Sequence, residues 1–181
     1  ALLLTQNTMA AKFSNTRQVI KRTLHDNSHL REDRQINEVL NVLSEGIEKV
    51  FSVGSVEEII GIEGNCAQNY FSIFNKLITN NKVQFTFELR TKRPPLDPVN
   101  ALLSFVYTLS ASEYASALET VGLDSYIGFC HALRSGRTSL AYDLVEEARC
   151  LAERFVLSIL NLQIIGDRDF ERHISGAVWL N

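Results

Sequence analysis

The chain has 181 residues, 45% hydrophobic and 22% charged, an ordinary globular composition for which one domain is the default. A formal net charge of −3 excludes a protein coated in positive charge, so any nucleic-acid contact must be local or shared with parts beyond this chain. No apolar stretch approaches bilayer-crossing length, and Leu2 to Leu4 is too short and too poorly flanked for a secretory leader.

Cys66, Cys130 and Cys150 are an odd number, far apart and without Cys-x-x-Cys spacing. They argue against a zinc site and for buried free thiols in a reducing cytoplasm. Ala1-Leu-Leu-Leu4 begins abruptly and Gly176 to Asn181 ends on an apolar run, so both ends read as cut from a longer protein.

Helical periodicity dominates. The pattern predicts a first helix over Asn7–His25, with Lys12, Arg17, Lys21 and Arg22 on its polar side and Phe13, Val19, Ile20 and Leu24 toward a core. The break Asp26-Asn27-Ser28 can cap a second helix from about His29 to Phe51, striped by Ile36, Leu40, Leu43, Ile47 and Val50. Ser55 with Glu57-Glu58 caps a third, Val56 to about Thr79, which carries Ile59, Ile62, Cys66, Tyr70, Ile73, Phe74 and Leu77. Gly61 and Gly64 bracket Glu63 in it. Glycine costs a helix interior roughly 1 kcal/mol, so either something approaches the backbone there or two helices pack tightly.

The pattern breaks between Thr79 and Asn100. Asn80-Asn81 marks a turn, Val83 to Leu89 alternates like a short strand, and Pro94, Pro95 and Pro98 exclude helix until Val99. Arg90, Lys92 and Arg93 make the sharpest basic cluster, read as a solvated loop or as phosphate contacts. A helix over Val99–Val121 follows, with Asp97 near its start and Gly122 as its stop. Leu123–Leu133 reads as a linker or short helix that includes His131. The last helix runs from Thr138 to Ile165, with Leu140, Leu144, Ala148, Leu151, Phe155, Ile159 and Leu162 as its core stripe. Asp143 and Glu146 lie together beside that stripe, roughly 60° apart around the helix. A small hairpin is expected after Gly166. The fold class is therefore mainly α: several helices, a short irregular or β-like connection near 80–98, and a C-terminal hairpin.

Two or three carboxylates with one imidazole suit a hard-to-borderline divalent ion, Mg²⁺ or Mn²⁺, and such an ion suggests phosphodiester chemistry. Glu63, His131, Asp143 and Glu146 are the candidates. Each has a bland alternative, a solvated acid or a structural histidine; the case rests on their conjunction. The chain has no Gly-x-x-x-x-Gly-Lys loop, no His-Glu-x-x-His and no Gly-x-Ser-x-Gly, and it lacks the paired Glu-x-x-His of a di-iron bundle.

Four blocks resemble the C-terminal catalytic domain of the CRISPR-associated integrase family Cas-one, in its type I-C branch. They are Gly61-Ile-Glu-Gly-Asn-Cys-Ala-Gln-Asn-Tyr-Phe71, Arg93-Pro-Pro-Leu-Asp-Pro-Val-Asn-Ala-Leu-Leu-Ser-Phe-Val-Tyr107, Gly122-Leu-Asp-Ser-Tyr-Ile-Gly-Phe-Cys-His131 and Gly136-Arg-Thr-Ser-Leu-Ala-Tyr-Asp-Leu-Val-Glu146. The resemblance covers nearly the whole chain and implies that residues 1–181 are the helical catalytic domain, with the family's N-terminal β domain absent. It places the metal ligands on Glu63, His131 and Glu146, with Asp143 supporting them, and Mn²⁺ or Mg²⁺ as the cofactor. Cys66, Cys130 and Ala148 depart from the family pattern beside these positions.

The resemblance further implies a DNA endonuclease and integrase that joins spacer DNA to the CRISPR repeat by transesterification, acting as a homodimer with the partner protein Cas-two. Charge alone nominates Arg90, Lys92, Arg93 and Arg137 for DNA phosphates. The rival reading is a non-enzymatic helical interaction or dimerisation module, in which the acids are solvated and the apolar stripes form a seam.

Overall fold

The computed structural model describes residues 1–80, 82–131 and 134–181. Five long helices make up most of the described chain: α1 (Leu2–Asp26), α2 (Arg34–Ser52), α3 (Val56–Leu77), α4 (Pro98–Thr120) and α5 (Ser139–Asn161). An antiparallel hairpin follows, β1 (Phe170–Arg172) paired with β2 (Val178–Leu180), with Phe170 opposite Leu180. The mainly α expectation and the C-terminal hairpin both hold.

The helix starts follow side-chain capping. Ser55 accepts from Glu58 N while the Glu58 carboxylate takes Ser55 N, a reciprocal cap for α3. Asp97 accepts from Asn100 N at 2.8 Å, and Pro98 fills the first turn of α4, where no amide is needed. The cap of α2 is Asp33, which accepts from Ile36 N at 3.1 Å, rather than the Asp26–Ser28 break. Residues Ser28–Leu30 form a 3₁₀ turn, so α2 starts later than His29. Conversely α1 starts at Leu2 rather than Asn7, and α5 stops at Asn161.

Helix α1 is the hub, packed against α2, α3 and α5, while α4 lies along α5 and β2 rests on α4. Phe13 and Ile20 of α1, Ile36 and Leu43 of α2, Ile73 and Phe74 of α3 and Leu103 of α4 are fully buried. Each such side chain stabilises the fold by roughly 1.5–3 kcal/mol. The close backbone approach occurs at Gly46, where a Cβ would sit 2.7 Å from Cys66 Sγ and 3.2 Å from the Phe13 ring. A Cβ added at Gly61 or Gly64 would meet nothing within 4 Å, so tight packing against another element is not their reason. The three cysteines are buried and free, as expected.

The connection after α3 is irregular. Phe85 and Phe87 do alternate inward, Phe85 stacking edge-on against Phe170 and Phe87 against Phe71 and Phe74. Residues 82–89 nevertheless form no strand, because no neighbouring strand supplies a ladder. The expected turn at Asn80-Asn81 and the end of the Leu123–Leu133 linker fall partly outside the described residues; over 123–131 the chain is turn and loop, not helix.

The largest correction concerns α5. Its expected core stripe faces outward, with Leu151 62% and Phe155 54% exposed. The buried face instead carries Ala141, Val145, Cys150, Ala152, Val156 and Leu160 together with Asp143, Glu146 and Glu153. Apolar residues run almost around this helix, so periodicity alone offered two faces, and the acids mark the one that is buried. Among the described residues no helix is long and apolar enough to cross a membrane.

Candidate metal and nucleic-acid site

The site begins where the loop after α4 folds back over the start of α5. Asp143 is 0% exposed. Its Oδ2 accepts from Phe129 N at 2.6 Å and Cys130 N at 2.8 Å, and its Oδ1 from His131 N at 3.1 Å. The same Oδ1 lies 2.5 Å from His131 Nδ1. A carboxylate can only accept, so Nδ1 donates to it, and Nε2 is the ring nitrogen left for another partner. Gly128 makes this possible: a Cβ there would stand 2.5 Å from Asp143 Oδ2 and 2.9 Å from Ser139 Cβ.

Glu63 on α3 and Glu146 on α5 meet at a single point, the ammonium of Lys12 on α1. Lys12 Nζ donates to Glu63 Oε1 at 2.5 Å and to Glu146 Oε2 at 2.6 Å, which puts the two acceptor oxygens within about 5 Å of each other. Lys12 is 8% exposed and Glu146 5%. Arg149, one turn along α5, donates to the other Glu146 oxygen at 2.7 Å. Burial alone pushes the Glu146 carboxyl up; the Lys12 and Arg149 charges outweigh it and hold the carboxyl down at about 2. Burial likewise works against the Lys12 ammonium, and the two glutamates overcome it, so its pKa is raised. The sequence expectation that Lys12 sits on the polar side of α1 is thus overturned. Position 12 continues the buried row Thr5, Met9, Thr16, and two carboxylates pay for its burial.

A cleft of about 450 Å³ opens over these groups, lined by Glu63, His131 and Glu146 and by Arg90, Lys92, Arg93 and Arg137. All four basic residues nominated from charge therefore face one cavity. They differ in commitment. Arg90 donates to Asn100 Oδ1 at 2.7 Å and Ser104 Oγ at 3.1 Å and lies over the Tyr107 ring, so it braces the cleft wall. Arg137 stacks over Tyr142 at 5.2 Å, while Lys92 and Arg93 are exposed at the mouth. Below the cleft Arg149 stacks on Tyr107 at 4.2 Å, and the Tyr107 hydroxyl donates to buried Glu153 at 2.7 Å.

Two groups could hold a cation. Cys130, His131 and Asp143 bring one ligand atom each within 4.8 Å of one another. Yet both Asp143 oxygens are occupied by N–H donors, and burial pushes the Cys130 thiol up to about 11, away from the thiolate that binds metal. That cluster orients His131. Glu63 and Glu146, hard oxygen donors, converge on the Lys12 ammonium, and His131 lines the same cleft.

The family model described as CRISPR associated protein Cas1 matches residues 1–181. The chain belongs to the Cas1 family. It is 41% identical over 177 residues to a CRISPR-associated endonuclease Cas1 of Moorella thermoacetica, covering 97% of this chain and 52% of that protein. The chain thus spans about half the length of that relative. Among solved structures, a partial Cas6-RT-Cas1–Cas2 complex superposes with a TM-score of 0.85 at 29% identity, over 99% of this chain and 53% of the other. A casposase bound to its integration product superposes at 0.83 and 26% identity, over 99% of this chain and 48% of the other. Within this Cas1 chain, Lys12, Gly128, Arg149 and Glu153 were not singled out from sequence as functional. Glu146, Arg149 and Glu153 share spacings of three and four, a one-faced charged row that could have flagged them.

Proposed function

We propose that this chain is the helical catalytic domain of a metal-dependent DNA endonuclease and integrase of CRISPR adaptation. Glu63, His131 and Glu146 would hold one Mg²⁺ or Mn²⁺. The observation that carries the reading is the meeting of Glu63 and Glu146, from separate helices, on one cation position in the cleft that His131 also lines. The names of similar proteins, a Cas1 endonuclease and a casposase bound to its integration product, point to the same chemistry. Burial of Glu146 and Asp143 weighs against the rival module, which needs solvated acids.

The exchange makes one phosphodiester and breaks one: a spacer 3′-hydroxyl oxygen bonds to a repeat phosphorus, and that strand's own 3′ oxygen departs with a proton. The ion, when bound, polarises the phosphoryl oxygen and offsets charge at phosphorus. Asp143 holds His131 in one tautomer and orientation. Lys92, Arg93 and Arg137 bring positive charge to the cleft mouth where a DNA backbone would lie, and Arg90 braces the wall behind them. The net negative charge of the chain fits a domain whose DNA contact is confined to this cleft and shared with a second copy and with Cas2. A reducing cytoplasm suits the free thiols. The type I-C assignment rests on the four sequence blocks.

The test is strand transfer and cleavage by the protein carrying His131→Ala or Glu63→Gln. Both activities should fall at least about 100-fold with helicity intact, whereas Glu45→Gln on the far side of α2 should match wild type. Full activity without the His131 imidazole would reject the assignment.

A further inference from the structure

The cation position between Glu63 and Glu146 already has an occupant supplied by the chain. We infer that the Lys12 ammonium is a built-in competitor which a divalent ion must displace, so that metal affinity is set by exchange with this side chain. The inference rests on the metal reading of the site and extends it.

Nζ lies 2.5 Å from Glu63 Oε1 and 2.6 Å from Glu146 Oε2. A divalent ion held by the same two oxygens would stand almost on the ammonium. Like charges that close repel even at water's dielectric constant. Arg149 covers only the opposite Glu146 oxygen and can remain in place. The four-carbon stem of Lys12 is flexible enough for the head to swing out, and the cleft it enters is roofed by Lys92, Arg93 and Arg137. There it joins Lys92, Arg93 and Arg137, with Glu63, Glu146 and Glu153 as the acids of the same lining. A DNA phosphate in the cleft gives the displaced ammonium a new partner. Metal and DNA binding are therefore positively coupled, and coupling is reciprocal.

The device also explains how two carboxylates approach each other in a buried site without metal. Lys12, together with Arg149 on the second Glu146 oxygen, offsets their charge, which stabilises the ligand set before an ion enters. Removing one partner from such a buried ionic group is strongly destabilising because it leaves the other charge buried and uncompensated.

Mn²⁺ titration calorimetry on the protein, at one pH and salt concentration, tests this. Wild type, Lys12→Met, Lys12→Gln and Glu63→Gln are compared. Both Lys12 variants should bind Mn²⁺ about tenfold tighter or more. Lys12→Met should melt lower in chelator and gain more from Mn²⁺ than wild type. DNA should tighten Mn²⁺ binding in wild type and do so less in Lys12→Gln. Equal or weaker Mn²⁺ binding by a folded Lys12 variant, with Glu63→Gln still weakening wild type, overturns the competition and spares the metal reading. No Mn²⁺ binding by any folded protein overturns both. Wild type carries the test without mutation: Lys12 should become reactive to an amine-acylating reagent, read by mass spectrometry, once Mn²⁺ saturates the site. Unchanged protection at saturation refutes displacement.

Discussion

Asp143 Oδ1 lies 2.5 Å from His131 Nδ1 while the Asp143 carboxylate also gathers three consecutive backbone N–H groups, those of Phe129, Cys130 and His131. One buried side chain thus fixes both the loop and the imbalance of protons on the imidazole ring. Asp143→Ala strands those donors, and unfolding by urea should show a loss of at least about 3 kcal/mol. Asp143→Asn keeps an accepting oxygen and should lose less stability, yet strand transfer should still collapse because His131 is no longer held.

Gly128 and Gly61 make opposite predictions. Gly128→Ala drives a methyl to 2.5 Å from Asp143 Oδ2, so the loop must lift; about 1–3 kcal/mol of stability and most of the activity should go. At Gly61 a methyl meets nothing within 4 Å, and the residue sits in a helix. Gly61→Ala should raise the melting temperature, by up to about 1 kcal/mol of stability. A destabilised Gly61→Ala would show that this surface is constrained by something other than helix propensity.

The floor of the cleft depends on Tyr107 and Glu153. Burial pushes the Glu153 carboxyl up despite Arg149 nearby, and the Tyr107 hydroxyl donates to it at 2.7 Å. Tyr107→Phe should cost about 1–3 kcal/mol by leaving that oxygen without its donor. Glu153→Gln should cost less, and in the double variant the losses should not add. A double-mutant cycle by chemical denaturation reads the coupling.

Asp33 gives the clearest pH signature away from the site. The Lys76 ammonium, donating at 2.7 Å, holds the Asp33 carboxyl below its usual range, against an opposing push from partial burial. A depressed folded pKa stabilises the fold above the ordinary aspartate value of about 3.9, and the contribution fades as pH falls through the lower, folded value. Asp33→Ala should therefore cost about 1 kcal/mol at neutral pH, as expected for a helix cap. The gap from wild type should narrow as pH falls below the ordinary aspartate value and through the lower, folded one. Denaturant melts across that range test it.

Element type was legible in the sequence far more than facing. Regular 3–4 spacing located α2 and α3 and their core residues, and local capping chemistry at Ser55 placed the start of α3 to the residue, while α4 begins at Pro98, one residue before the expected Val99. Helix α5 went wrong because leucine and phenylalanine on both sides give periodicity no preference, and only tertiary contact selects the face with three acids. The alternating Phe85 and Phe87 mimicked a strand because both point into the core from a loop. Glu63, His131 and Glu146 were found through the blocks that resemble Cas1. Lys12 was hidden, since a lysine is assigned to solvent by default, and its partners lie 51 and 134 residues away in sequence.

The most direct measurement is the anomalous diffraction of a crystal of the protein soaked in Mn²⁺. A single peak at coordination distance from Glu63, His131 Nε2 and Glu146, with Lys12 turned away, is the expected result. A peak on Cys130 and Asp143, or none near Glu63 at saturating Mn²⁺, contradicts the assignment of the metal ligands.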